Sequence, residues 1–555
     1  MAALISSGLE VKYCKPSTGT SPFVDNLDKA MKIRDPRRSY LVALIVCWVV
    51  SRWVYFSCLG VRLDGSPLGS YLQFIDPVLL KTALWQSTFY LNNHPPLFNL
   101  FLGVMLQSFG SHADWAFQVV YYGFGLGLAV LLYLLLLRLG IFPALAFLTT
   151  ALFCVSPITL LYENWLFYTY PLTFLLVLSS LFLHRYVVSR RAADAVIFFS
   201  TLAVIILTRG IFHLAWLALV LLALWLVFPQ NRRQLVLAAA LPCLLVVALY
   251  CKNYLVFGTM VAGEAYQKTN FGMMVFDKVS GLARRQLIAE GKVTELADSI
   301  PYNWRGEQQY RELLPSIKRW GIPVLDQEVK STGFQNWHSQ LITELARVYY
   351  RDAKVAARQY PAAYPRAVVD NLKFYFVPAD QTWPFFGGEE PLTTDPNAMK
   401  MRGLLRAWNY LFAGKLPFAG FAGKVPWLNL IAFPLCFLFG CRWVGLWALR
   451  RRGISERSET ATAAVVFFML YNIAYVAAVT ILFSDADHSR YRFKVSPFYA
   501  ALFSLFVASL VHSIVKRRLA SRRSEGAPAG LVGLSFRGEQ GRQRMGGEGV
   551  RPPRV

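Results

Sequence analysis

Charge is scarce in this chain, so charged residues inside apolar surroundings mark the places where chemistry is possible. Of its 555 residues only 16% are charged, while 55% are hydrophobic and 15% aromatic. Against that background stand two carboxylates, Asp64 and Asp76, followed by His94 ahead of Pro95-Pro96. A third acid, Glu163, and two cations, Arg209 and Lys252, lie between or at the ends of apolar runs. Near the C-terminus comes His488-Ser489-Arg490-Tyr491-Arg492, just after Asp485 and Asp487. A carboxylate partly removed from water can be tuned toward useful basicity and can take a proton from an attacking hydroxyl. Arginine offers a forked, always-charged donor set that matches phosphate oxygens. An acid facing several such cations suggests a hydroxyl acceptor attacking a phosphate-linked group.

Simpler roles compete at most of these positions. Asp76, followed by Pro77, suits a helix N-cap with proline in the first turn. Asp64 in LDGSP suits a turn. His94 could cap the helix that Pro95-Pro96 opens. Arg490 and Arg492, with the aromatic Tyr491 between them, also fit an interfacial belt of snorkelling side chains. Glu163 has no evident cap or turn role. Arg209 occupies a short turn between two minimal apolar runs, where burial without an anion is costly. None of the eight cysteines forms a CxxC pair, so neither a zinc site nor a disulfide framework is suggested. No HExxH, P-loop, GxSxG or dinucleotide fingerprint has a supporting context. GFGLG at 123–127 lies inside an apolar run, where small residues mean helix packing.

The elements that must position these residues are membrane helices. Mean hydropathy is +0.39, and apolar runs recur at the length of a hydrocarbon core, ~20 residues at ~1.5 Å each. Ten spans are expected, at about 40–59, 116–137, 142–160, 166–186, 195–207, 212–228, 235–250, 425–446, 463–483 and 495–515. The first carries Arg52, which must face protein or a wet cavity. The run 95–109 is too short to cross comfortably and is expected as an eleventh, re-entrant or tilted helix. The fold class expected is an all-α polytopic bundle of 10–11 transmembrane helices with a mostly helical extracytoplasmic domain.

Positive residues near span ends set the orientation. Lys29, Lys32, Arg34, Arg37 and Arg38 precede the first span, and Arg138, Arg190-Arg191 and Arg232-Arg233 follow later ones. The positive-inside rule puts these in the cytoplasm. The net charge of +25 therefore reads as lipid anchoring, with no nucleic-acid motif beside it. The expected organisation is a cytoplasmic segment 1–39, a transmembrane module 40–251 with its first outer loop at 60–94, and an outer domain 252–424. The last spans at 425–515 and a disordered basic tail, 516–555, follow. In the outer domain HSQLITELARVYYRDAKVAARQY has helical periodicity, and the domain either caps the membrane cavity or binds an acceptor. All the candidate residues then fall on one membrane face.

The stretch FIDPVLLKTALWQSTFYLNNHPPLFNLFLGVMLQSFG, with LRLG, SPITLLYENW, LTRGIFHLAWL, KNYLVFG and SRYRFKVSP, resembles the C-type (GT-C) membrane glycosyltransferases. Among them it is similar to bacterial relatives of protein O-mannosyltransferases and the aminoarabinose transferase. That resemblance, over 40–260 and 425–515, implies an inverting cell-envelope enzyme of the bacterial inner membrane. Its active site would be periplasmic and its termini cytoplasmic. It would move a sugar from a polyprenyl-phosphate donor to a glycan, lipid or protein hydroxyl. By resemblance the catalytic aspartate is Asp76, with Asp64 the second candidate, because Pro77 replaces the acid that often follows in the family. Arg209, Lys252, Arg490 and Arg492 would bind the donor phosphate, with His94, Glu163 and His488 also lining the substrate site. No cofactor is indicated, and a divalent metal is left open. The alternative is a transporter or flippase of a lipid-linked saccharide, disfavoured because the polar residues gather at one face.

Overall fold

Every regular element among the described residues is helical, with isolated bridges pairing Asp64 with Trp165 and Val329 with Gln335. The computed structural model describes residues 36–314, 316–386, 393–413, 427–450, 457–485 and 487–525. Most of the N-terminal segment, the whole 414–426 stretch and most of the basic tail expected above lie outside them. Two described portions differ from expectation. The first helix starts at Pro36, and residues 516–525 of the tail continue the last helix to Glu525.

The membrane module is built from α1 (Pro36–Leu59), the short α2 (Pro77–Thr82) and α3 (Leu84–Phe89), α4 (Leu97–Phe109) and α5 (Ala113–Arg138). Next come α6 (Pro143–Val155), α7 (Pro157–Glu163), α8 (Thr169–Ser189), α9 (Ala192–Thr208), α10 (Leu214–Val227) and α11 (Arg232–Phe257). Among the described residues seven helical stretches are long and apolar enough to cross a membrane, and the 60° bent pair α6–α7 makes an eighth if it is one span. The ten expected apolar segments are all helical, but α9 and α10 are only 17 and 14 residues long. At ~1.5 Å per residue they fall short of a ~30 Å hydrocarbon core. The protein is thus an all-α polytopic membrane protein with fewer full-length spans than its apolar runs suggest.

The 13-residue α4 is no separate re-entrant hairpin. It runs through one 3-10 turn into α5, and the two make a 42-residue apolar stretch. Asn99 of α4 bonds the backbone of Gln73 and Ile75, and Gln107 bonds the carbonyls of Leu80 and Lys81. Early in α5, Gln118 bonds Leu63 N–H and the Asn164 side chain. Both ends of α4 therefore stay level with the 60–94 loop, at the end of the bundle opposite Arg37 and Arg138. We call this the loop end.

Helix α8 is packed on several sides, against α5, α9 and, later in the chain, 457–483. Its hydroxyls find partners in its own backbone: Thr173 bonds Thr169 O at 3.0 Å, and Ser179 and Ser180 both bond Leu176 O. That removes the cost of polar groups away from water. Between α1 and α7 lies a buried ion pair. Arg52 Nε donates to Glu163 Oε1 at 3.3 Å, Nη2 pairs with Oε2, and Nη1 donates to Cys154 O at 3.0 Å. Gly125 of the GFGLG run makes the room, since a Cβ there would lie 2.1 Å from Glu163 Oε1. Glu163 is thereby the buried counter-ion of Arg52.

The polar region begins at Gly258, later than expected, because α11 continues past Lys252 to Phe257. It contains α12 (Glu264–Phe276), α13 (Gln340–Gln359) and α14 (Ala363–Phe376). Helix α13 is the one expected from periodicity, and Ser339 caps it by accepting from Ile342 N–H. Its apolar face closes a core with Val275, Leu287, Trp304, Leu345 and Tyr349. The chain then returns through α15 (Trp427–Arg450) and α16 (Arg457–Phe483) to α17 (His488–Phe493) and α18 (Ser496–Glu525).

Removing one member of the Arg52–Glu163 pair leaves a buried charge alone, at a cost of ~3–5 kcal/mol. Glu163→Ala should lower the thermal midpoint of the detergent-solubilised protein strongly, and the double variant Arg52→Met/Glu163→Leu should recover most of the loss. An unchanged midpoint in Glu163→Ala would contradict this role.

Candidate functional site

Helix α9 stops at Thr208, and Arg209 leaves it in extended backbone. Gly210 follows because the turn runs against the loop before α12: a Cβ there would sit 2.7 Å from Ala262 O. The Arg209 guanidinium is 8% exposed, donates from Nη2 to the Tyr491 hydroxyl at 2.5 Å, and lies over the rings of Tyr168 and Tyr491. Its Nε has no hydrogen-bond partner, and no carboxylate pairs with it among the described residues. Arg490, on α17, does have one: Asp487 Oδ2 at 2.6 Å. Four residues on, Lys494 is 1% exposed, with its ammonium 4.1 Å from the Tyr491 ring centre and no hydrogen bond or ion pair among the described residues. Burial, reinforced by Arg209 and Arg490, pushes this ammonium well below its usual range, with Asp487 working the other way.

Three cations thus share one carboxylate at the loop end. Beside them is a cavity of about 330 Å³. Asn93, His94, Arg209 and Tyr266 line its polar side, and Leu482 and Phe483 of α16 its apolar side. His94 is buried, its Nε2 lacks a partner, and its ring faces Tyr168 at 5.5 Å. Burial, then Arg209, His338 and further cations, hold its pKa well below the usual histidine value. It is therefore a neutral imidazole, able to hydrogen-bond a ligand but not to add charge.

The other expected site residues separate from this cavity. Lys252 Nζ donates to Leu91 O at 2.9 Å, fastening α11 to the first loop. Arg492 Nη2 donates to Val377 O at 2.8 Å and Nη1 to Tyr375 O, closing the end of α14. His488 is buried against Phe374, its Nε2 without a partner. Asp76 is the N-cap of α2, accepting from Val78 N–H at 2.8 Å. It also accepts from Ser331 Oγ at 2.6 Å and from Ser331 N–H. Both its oxygens are engaged and it is 5% exposed, so it docks the polar region instead of standing free as a base. Asp64 is half-buried, and among the described residues its carboxylate accepts only from Ser66 N–H and Ser66 Oγ. Its backbone is held on both sides by Asn164 O and Leu166 N–H.

The residues that the sequence did not single out are mostly aromatic or lie in the polar region. Tyr168 and Tyr266 line the cation cluster and no spacing marked them, whereas Tyr491 stood in the singled-out run between Arg490 and Arg492. Lys494 had a signal, its four-residue spacing from Arg490. Lys330 is 3% exposed and donates to Tyr71 O; with Ser331 on Asp76 and Thr332 Oγ1 on Gly69 O it forms a strap over the first loop. No cluster of metal ligands occurs among the described residues.

Burial lowers the Lys330 ammonium to about 7, with Asp76 opposing the shift. A base whose folded pKa is depressed binds fewer protons folded than unfolded between that value and its ordinary ~10.4. Stability should therefore rise with pH from about 7 upward, and Lys330→Met should flatten that rise in a thermal-midpoint series. An equal slope in both proteins would show that the charge is not buried. In comparisons with known proteins no family model, no curated protein and no solved structure matches the chain.

Proposed function

We propose that the protein is a membrane glycosyltransferase that uses a polyprenyl-phosphate-linked sugar. The observation that carries this reading is the surplus of buried positive charge at the cavity. Among the described residues Arg209 has no carboxylate, and an unpaired buried cation costs several kcal/mol; a bound anion would also restore to Lys494 the charge that burial disfavours. A ligand bringing negative charge removes that cost, and the cavity's Leu482 and Phe483 wall suits the lipid that carries it. Aromatic faces over the cations leave their N–H groups free for phosphate oxygens.

In this reading Asp64 is the base, not Asp76. Its position is fixed by the bridge to Trp165, and its carboxylate has room to accept a further proton. Asp64 does not line the cavity; it stands on the other side of Tyr71, whose phenol feels both Asp64 and Arg490, so the acceptor would approach from that side. The acceptor hydroxyl gives its proton to Asp64 as its oxygen bonds the anomeric carbon, and the bond from that carbon to the phosphate oxygen breaks. Polyprenyl phosphate leaves with the electron pair, its growing charge met by Arg209 and Lys494. Attack opposite the leaving group inverts the anomeric centre. The basic residues Arg37, Arg138 and Arg190 cluster at the other end of the bundle, which by the positive-inside rule makes the loop end extracytoplasmic.

The test is purified protein with a panel of polyprenyl-phosphate sugars, following release of polyprenyl phosphate. Release should occur with at least one donor, and Asp64→Asn should slow it by ~10² or more, the usual contribution of a general base. Full activity in Asp64→Asn, or no release from any donor, would overturn the proposal.

A further inference from the structure

We infer that the surface around Trp383, Tyr71 and Asp395 is a saccharide-binding subsite, which makes a sugar ring the acceptor class. Trp383 is 41% exposed although it is one of the largest apolar side chains. Its ring centre stands 4.8 Å from that of Tyr71, which in turn meets Trp165 at 5.5 Å and Phe167 at 5.0 Å. Around this aromatic group three buried polar atoms have no hydrogen-bond partner among the described residues: the Tyr71 hydroxyl, Trp165 Nε1 and Asp395 Oδ2. Asp395 is 1% exposed. Native proteins seldom leave such atoms unpaired, because each costs roughly 1–3 kcal/mol.

The surrounding chain is fastened as a site would need. Thr394 N–H and Thr393 Oγ1 both bond Pro384 O, which holds Asp395 beside Trp383. Asn397 brackets Arg62, accepting from its N–H at 3.2 Å and donating to its carbonyl at 2.7 Å. Lys400 Nζ donates to Gly60 O at 2.7 Å. These contacts tie 393–400 to the loop that bears Asp64, and the Tyr71 phenol feels both Asp395 and Asp64. Burial, with Asp64 nearby, raises the Asp395 carboxyl to about 7, so it can donate as well as accept.

That mixture selects a ligand class. A pyranose has an apolar C–H face for an exposed indole and a rim of hydroxyls that both donate and accept. An isolated phosphate would find no free cation here, since Arg490 is paired with Asp487. A lipid chain would leave the three polar atoms unsatisfied. The subsite's role as acceptor site rests on the transferase reading, but saccharide binding stands without it.

The experiment is saturation-transfer NMR on the purified full chain with methyl glycosides of glucose, galactose, mannose and N-acetylglucosamine and with their disaccharides. At least one should bind saturably. Trp383→Ala and Asp395→Asn should each weaken it by roughly tenfold. Asparagine keeps the oxygen that caps Ala398 N–H, so that variant should fold. Equal binding in Trp383→Ala, or no saturable binding by any sugar, overturns the subsite. Saccharide binding without polyprenyl phosphate release would sink the transferase reading and leave the subsite standing. Release without saccharide binding would sink the subsite alone.

Discussion

The loop end of this protein depends on a charge imbalance that its own side chains do not settle. Arg209, Arg490 and Lys494 are buried within one cluster of tyrosines, and among the described residues only Asp487 pairs with any of them. Protein interiors rarely keep like charges together without compensation, because desolvation and repulsion add. Aromatic faces soften the imbalance but do not neutralise it, at ~0.5–2 kcal/mol each. The arrangement is therefore stable at a loss that a bound anion would recover, and the neutral imidazole of His94 adds a hydrogen bond without adding charge.

The polar region is what keeps that cluster dry. It is joined to the first loop by side-chain bonds that cross long stretches of sequence. Asn93 Nδ2 bonds Trp337 O and Thr343 Oγ1, its Oδ1 accepts from Ala265 N–H, and the Lys330–Thr332 strap covers residues 69–76. Water excluded in this way makes each cation count for more. Asp76 belongs to this docking surface, and Glu163 to the pairing that lets an arginine reside inside α1.

Much of the helical architecture was legible in the sequence, because apolar run length decides it. Less legible was which polar residues meet. Arg209 stood out, since a charge in a minimal turn has few structural excuses, and it does line the cavity. Glu163 stood out equally, but its partner Arg52 lies 111 residues away, and no local pattern joins them. Asp76 carried both of its readings openly, and the N-cap, with Ser331 added from 255 residues away, is the one the structure shows. Arg492 looked like a phosphate ligand by type and spacing, yet it closes the end of α14. Tyr168, Tyr266 and Trp383 were invisible because aromatic residues are abundant throughout this chain, and only the fold says which ones gather around charge.

The most direct test of the central claim is binding of polyprenyl phosphate alone, without a sugar, measured by native mass spectrometry of the detergent-solubilised chain. One molecule should bind the wild-type protein, and Arg209→Ala/Lys494→Ala should lose it while keeping its thermal midpoint or gaining stability, because the unpaired Arg209 charge and the desolvated Lys494 amine are gone. Undiminished binding in that double variant would show that the buried cations serve some other end.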